Sequence, residues 1–97
     1  MQRERPARAI EEFRRQIEVA DRALLAALRA RVALAEQLLR YKEERGLTLF
    51  DPGQEERVLD RIGSWAAVER VEPALARAVM RLVIEAGKLR HNAPDPP

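Results

Sequence analysis

Alternating steps of three and four from Arg14 pass through Ile17, Asp21, Leu24, Leu28, Arg31, Ala35, Leu38 and Lys42. This is the spacing of a heptad seam, yet four of its nine members are ionisable. An unpaired charge taken out of water is costly, so these groups either stay wet or face something that neutralises them. Three cations with a carboxylate nearby describe a pocket for a small dianion. Arginine suits paired hydrogen bonds to carboxylates, whereas lysine acts as a point charge. On one helix Arg31 and Lys42 stand about 16 Å apart, within joint reach of one small ligand if both side chains lean inward. Arg14 lies about 25 Å from Arg31 and cannot join them from the same chain. It can join from a partner running antiparallel, with the two-fold axis near Leu24 and Leu25. Two equivalent pockets result, each using Arg31 and Lys42 of one chain and Arg14 of the other, with Asp21 near the crossing. The plainer alternative is an arginine-rich helix carrying ordinary surface salt bridges.

The element that positions these groups runs from Ile10 to Arg45. It contains no Gly or Pro and is dominated by Ala, Leu, Arg and Glu, the strongest helix formers. A helix of that length is a rod of roughly 54 Å, whereas a compact monomer of this size spans roughly 30–35 Å. The rest of the chain cannot cover it, so a second copy is expected. Gly46 supplies the helix stop, and Leu47-Thr48-Leu49-Phe50 reads as a connection that folds back onto the protein. Asp51 and Pro52 form an N-cap and first-turn pair, and Glu55 and Glu56 sit where the helix dipole favours anions.

A second helix is expected from Pro52 to Trp65, with Val58, Leu59, Ile62 and Trp65 on one face. Glu72-Pro73 opens a third, whose apolar face is Leu75, Val79, Leu82, Val83, Ile84 and Leu89. Ala76, Ala78, Ala86 and Gly87 would let another helix approach closely, and His91 stands at its end. The expected fold is all-α, with three helices per chain and a very long N-terminal one, in an intertwined antiparallel homodimer. Residues 1–8 are expected to be frayed, 9–91 to form the helical domain, and 92–97, with three prolines, to be a disordered tail.

Composition narrows the chemistry. The 97 residues are 46% hydrophobic, 35% charged and 4% aromatic, with a net charge of +2. Acidic and basic residues are interspersed with no sustained basic face, which argues against a nucleic-acid partner. Without cysteine there is neither a disulfide framework nor a thiolate metal site, and one histidine cannot build a zinc cluster. The charged N-terminus lacks the apolar segment of a secretory signal. No run approaches the roughly 18 apolar residues that span a bilayer. A cytoplasmic protein with no membrane partner and no metal is expected.

Several segments resemble the all-helical, type II chorismate mutase family. Arg14-Arg15-Gln16-Ile17, then Asp21, Leu24-Leu25, Arg31 and Lys42, are similar to the family's LRxxI-xxxD-xxLLxLL-xxR signature and its following lysine. Phe50-Asp51-Pro52-Gly53-Gln54-Glu55 resembles the YDPxRE segment, and Val83-Ile84-Glu85-Ala86-Gly87 resembles the family's final helix. The resemblance covers about Glu11 to His91 without evident gaps.

It implies a shikimate-pathway enzyme of aromatic amino acid biosynthesis that rearranges chorismate to prephenate, without cofactor or covalent intermediate. Arg31, with Arg14 of the partner, would hold the two substrate carboxylates. Lys42 would contact a carboxylate and the ether oxygen of the breaking bond. Glu55, with the backbone near Asp51, would bind the ring hydroxyl. Gln54 and Gly87 occupy further substrate-binding positions. Such chemistry needs a folded conformer held in place and a cation aimed at charge growing on the ether oxygen.

Two positions depart from the family pattern. Gln54 stands where an arginine is usual, which removes a charge. His91 stands where a glutamine or glutamate is usual, and its ring N–H can donate to the ether oxygen. A relative acting as an isochorismate pyruvate lyase or on 4-amino-4-deoxychorismate would use a similar cleft. A catalytically silent helical dimer that regulates another enzyme of the pathway is the alternative of a different class.

Overall fold

The computed structural model describes residues 5–92, with side chains as far as His91. They form three helices: α1 (Pro6–Glu44), α2 (Pro52–Val68) and α3 (Pro73–Asn92). No strand forms among the described residues. Of the expected tail at 92–97, Asn92 is instead the last residue of α3, and 93–97 lie outside the described residues, as do residues 1–4 of the expected frayed start.

Helix α1 begins at Pro6, four residues before Ile10, so part of the segment expected to fray is helical. Proline lacks only an N–H that the first turn would leave unused, and the Arg8 and Ala9 amides donate to Arg5 O at 3.0 and 3.2 Å. The helix stops as its glycine predicts. Gly46 takes φ +65°, its amide donates to Glu43 O at 3.1 Å, and the Leu47 amide donates to Lys42 O at 2.9 Å. These two bonds make a Schellman cap, which uses carbonyls the helix end would otherwise leave unpaired.

The chain divides between Leu34 and Ala35 into two units. In the first, the described part of α1 is almost wholly exposed, with Ala9, Arg31 and Val32 half-buried. Phe13, Ile17, Leu24, Leu25 and Leu34 are each more than half exposed. The second unit holds the end of α1 together with α2 and α3, and its core lies where α2 meets α3.

Asp51 caps α2 from extended backbone, its carboxylate accepting from the Gly53 amide at 2.9 Å. Pro52 follows in the first turn. The buried residues of α2 are Leu59, Gly63 and Ala66, flanked by half-buried Val58 and Ile62. Trp65, expected on this face, points outward instead and is 56% exposed. The Arg61 guanidinium lies 5.1 Å from its ring centre. Helix α2 runs three residues past Trp65 and ends in a second Schellman cap. Here the left-handed position is Arg70 (φ 59°), with the Arg70 amide on Ala67 O and the Val71 amide on Ala66 O. Glu72 then takes the Ala74 amide on its side chain and the Ala76 amide on its carbonyl, starting α3.

Of the six apolar residues expected on the covered face of α3, Val83 and Ile84 lie on it and the other four do not. Met80, Val83, Ile84, Gly87, Lys88 and His91 are half-buried, whereas Leu75, Val79, Leu82 and Leu89 face outward. The glycine whose missing Cβ makes room for a neighbouring side chain is Gly63, which seats the Arg77 guanidinium, and not Gly87. A Cβ on Gly63 would fall 2.5 Å from Arg77 Nη2, while one on Gly87 would meet nothing within 4 Å. Arg77 Nε donates to Leu59 O at 3.4 Å, tying the two helices together beside that glycine.

No helix among the described residues is long and apolar enough to cross a membrane.

The two caps predict opposite responses. Left-handed backbone costs a side-chain-bearing residue roughly 1–2 kcal/mol, partly offset by the extra freedom glycine loses on folding. Gly46→Ala should therefore destabilise the protein by about 1 kcal/mol, and Arg70→Gly should stabilise it by a few tenths to about 1 kcal/mol. Urea unfolding midpoints of the two variants check both signs.

Candidate functional site

Within the second unit, the last turn of α1, the connection after it, the first turn of α2 and the end of α3 meet in a run of polar contacts. Lys42, in the last turn of α1, is half-buried, and its Nζ donates to Leu49 O at 3.3 Å. That bond spends one of three ammonium donors and holds the side chain against the connection. Beside it on α1, Glu43 Oε1 lies 2.5 Å from His91 Nε2. The His91 ring also meets Phe50 edge to face, with centroids 6.1 Å apart and planes at 80°. Arg90 Nε reaches Glu36 Oε1 at 3.1 Å, a second link from α3 to α1.

Phe50 also lies near Lys88, whose ammonium stands 5.8 Å from the ring centre, within the range of a cation–π attraction. Lys88 Nζ is 2.5 Å from Glu55 Oε1 and 3.3 Å from Glu85 Oε1. The hydrogen bond to Glu55 holds the Lys88 ammonium above the usual lysine range; partial burial opposes this and Glu85 assists it.

The residues singled out from sequence divide accordingly. Glu55 and His91 are joined through Lys88 and Phe50, and Lys42 reaches the same connection through Leu49. Gly87 is half-buried immediately before Lys88. Asp51 and Gln54 are exposed and turn toward Arg57. Asp51 Oδ2 lies 3.7 Å from Arg57 Nη2, and Gln54 Oε1 accepts from Arg57 Nε at 3.0 Å. Asp51 thus serves first as the cap of α2. Arg14 and Arg31 belong to the first unit, Arg14 exposed and Arg31 half-buried. Neither has a salt-bridge partner among the described residues.

Lys88, Glu43, Glu36, Glu85 and Arg90 belong to the cluster but were not anticipated as site residues from sequence. Lys88 left a signal, because Ile84, Lys88 and His91 are spaced by four and three and so share one helix face. A lysine on the covered stripe, among Met80, Val83, Ile84 and Gly87, is a candidate for a role beyond solubility. Glu43 left none, since it stands in a run of charges at a helix end. Among the described residues no three His, Asp or Glu side chains gather as a metal-binding group. The chemistry on offer is that of ammonium, guanidinium, imidazole and carboxylate groups held by partners.

One protein family, chorismate mutase type II, matches residues 13–92. That range includes every residue named in the cluster and both Arg14 and Arg31. No curated protein and no solved structure matches the chain.

The Glu55–Lys88 pair has a pH signature. A lysine whose pKa is raised by folding contributes stability that is complete below its ordinary value of 10.5 and is lost as pH rises through the raised one. Unfolding midpoints should therefore fall more steeply above that value for the native chain than for Lys88→Met, as measured by urea titration through the alkaline range.

Proposed function

The chain belongs to the type II chorismate mutase family, and from that premise we propose that it catalyses the rearrangement of chorismate to prephenate. The observation that carries the proposal is the family match over residues 13–92, which spans all eight positions expected to bind or act on substrate. The reaction is unimolecular: the ether C–O bond breaks as a C–C bond forms, and no group leaves the molecule. It needs no nucleophile. It needs the reactive conformer to be held and positive charge or hydrogen-bond donors where the ether oxygen becomes electron-rich.

Arg31 of one copy and Arg14 of a second hold the two carboxylates, as paired guanidinium contacts do. Lys42 points its remaining ammonium donors at a carboxylate and the ether oxygen. His91, its Nε2 held by Glu43, donates from Nδ1 to the same oxygen when both ring nitrogens carry protons, while Glu55 accepts from the ring hydroxyl near the Asp51 backbone. Gln54 and Gly87 line the pocket. The Leu49 contact on Lys42 and the Glu43 contact on His91 support these roles, because a donor already restrained loses less freedom when substrate arrives.

The pocket requires an antiparallel homodimer. Support for a second copy comes from α1, none of whose residues is buried. It carries exposed Ile10, Phe13, Ile17, Leu24, Leu28, Leu34 and Leu38, more apolar surface than an isolated helix normally leaves to water. A soluble enzyme acting in the cytoplasm on the pathway to aromatic amino acids fits this activity.

Loss of chorismate absorbance with prephenate as the product tests the assignment directly. Parallel incubations with isochorismate and with 4-amino-4-deoxychorismate test the neighbouring activities. Arg31→Ala and Lys42→Ala should each lower kcat/KM by about 100-fold or more, near 2.7 kcal/mol of transition-state stabilisation. A loss below about tenfold would remove that residue from the site. If His91 donates to the ether oxygen, His91→Ala should lower kcat by about tenfold or more, and His91→Gln, which keeps an N–H donor, should lose less. Sedimentation of the native chain as a monomer in dilute solution would sink the shared pocket.

A further inference from the structure

Lys88 holds a position that the proposed reaction does not use. It stands on the covered stripe of α3, between Gly87 and His91, and reaches across to the first turn of α2 to meet Glu55. The two side chains retain 26% and 27% exposure, and no other ion pair of the described residues has both partners so covered. The pairs Arg15–Glu12 and Arg57–Asp51 are more than half exposed on both sides, where such contacts contribute little. Covering matters because screening by water and salt weakens as a pair is enclosed. It also means that deleting one partner leaves the other charge uncompensated.

Uncompensated charge would be harmful at this place. On the function proposed above, Glu55 accepts from the hydroxyl of a substrate that itself carries two carboxylates. A bare carboxylate would repel that dianion while offering it a single hydrogen bond. With Lys88 on Oε1, much of the negative charge of Glu55 is offset, the more exposed Glu85 taking only a longer contact; the orientation of Glu55 is set, and Oε2 remains to accept from a donor. The cation is itself held in three ways: by Glu55, by Glu85 at 3.3 Å, and by the face of Phe50 at 5.8 Å. The bond to Glu55 keeps it protonated well into alkaline solution.

We propose that Lys88 is a positioning residue of this site, neutralising and orienting Glu55 so that this carboxylate can take a hydroxyl of a dianionic substrate without repelling it. The proposal rests on the chorismate mutase assignment and adds a residue that acts through Glu55, not on the reacting atoms.

The experiment uses chorismate with the native chain, Lys88→Met, Lys88→Arg and the double variant Lys88→Met/Glu55→Gln, each checked for helical content and melting. In Lys88→Met, KM should rise by about tenfold or more with kcat changed by less than about threefold, because charge at this distance acts on binding of the anion. Lys88→Arg should return most of the loss. The double variant should have a lower KM than Lys88→Met alone, since removing the carboxylate removes the repulsion. A purely structural role would lower melting temperature in both Met variants and would not make the second substitution corrective. Should Lys88→Met fail to fold, Lys88→Gln, which keeps a donor for Glu55 but no charge, carries the same comparison. An active native chain whose Lys88→Met or Lys88→Gln variant keeps KM within about twofold would overturn the role of Lys88 alone. So would a double variant that binds chorismate more weakly than the single one. A folded native chain that neither binds nor converts chorismate would overturn the activity, and the role of Lys88 with it.

Discussion

A hydrophobic core this small cannot by itself order the chain. Among the described residues only Leu59 and Ala66 are buried apolar side chains, packed with Gly63 where α2 meets α3. Large apolar side chains from Ile10 on α1 to Leu89 on α3 remain exposed. Folding must overcome conformational entropy on the order of 1–2 kcal/mol per residue, chiefly by withdrawing apolar surface from water. Small residues at the α2–α3 contact let two helices come close but add little area of their own. The uncovered surface is therefore the physical argument for the second copy proposed above.

Where burial is scarce, local backbone chemistry defines the elements. Both α1 and α2 end in the same pair of bonds, six-to-one and five-to-two, with a left-handed residue between helix and connection. At Gly46 that conformation carries no side-chain penalty. At Arg70 it does, and the chain tolerates it because the two Schellman bonds and the turn into Pro73 over-determine the position. Asp51 and Pro52 then restart the chain as α2. These devices bring the connection that carries Leu49 and Phe50 back against Lys42 and the end of α3.

The polar cluster of the second unit is built on paired groups. Lys42 is anchored on a carbonyl, His91 on Glu43 and Lys88 on Glu55, with Phe50 touching the imidazole and lying near the ammonium. For the rearrangement proposed above, which needs no covalent catalysis, fixed dipoles and charges are the principal means available to a protein. Their worth lies in being oriented before the substrate arrives. A flexible lysine or a solvated histidine would spend part of the binding energy on becoming ordered.

Local rules and periodicity made the helices legible from sequence. Gly46, Asp51-Pro52 and Pro73 act on their immediate neighbours, so the ends of the elements fell within a few residues of their expected places. The extra turn at Pro6 and the extension to Val68 are the exceptions, since neither Pro6 nor Trp65 forbids the helix that adjoins it. The charged positions of α1 and the motif around Asp51 were likewise visible as spacing. Which side of α3 is covered was not. Its apolar residues surround most of the helix, and composition cannot say which arc meets α2, so Leu82 and Leu89 turned outward while Lys88 and His91 turned in. The pairing of Lys88 with Glu55 and of His91 with Glu43 joins residues more than thirty positions apart. Only the packing of the helices sets such distances, because no local torsional preference reaches that far along a chain.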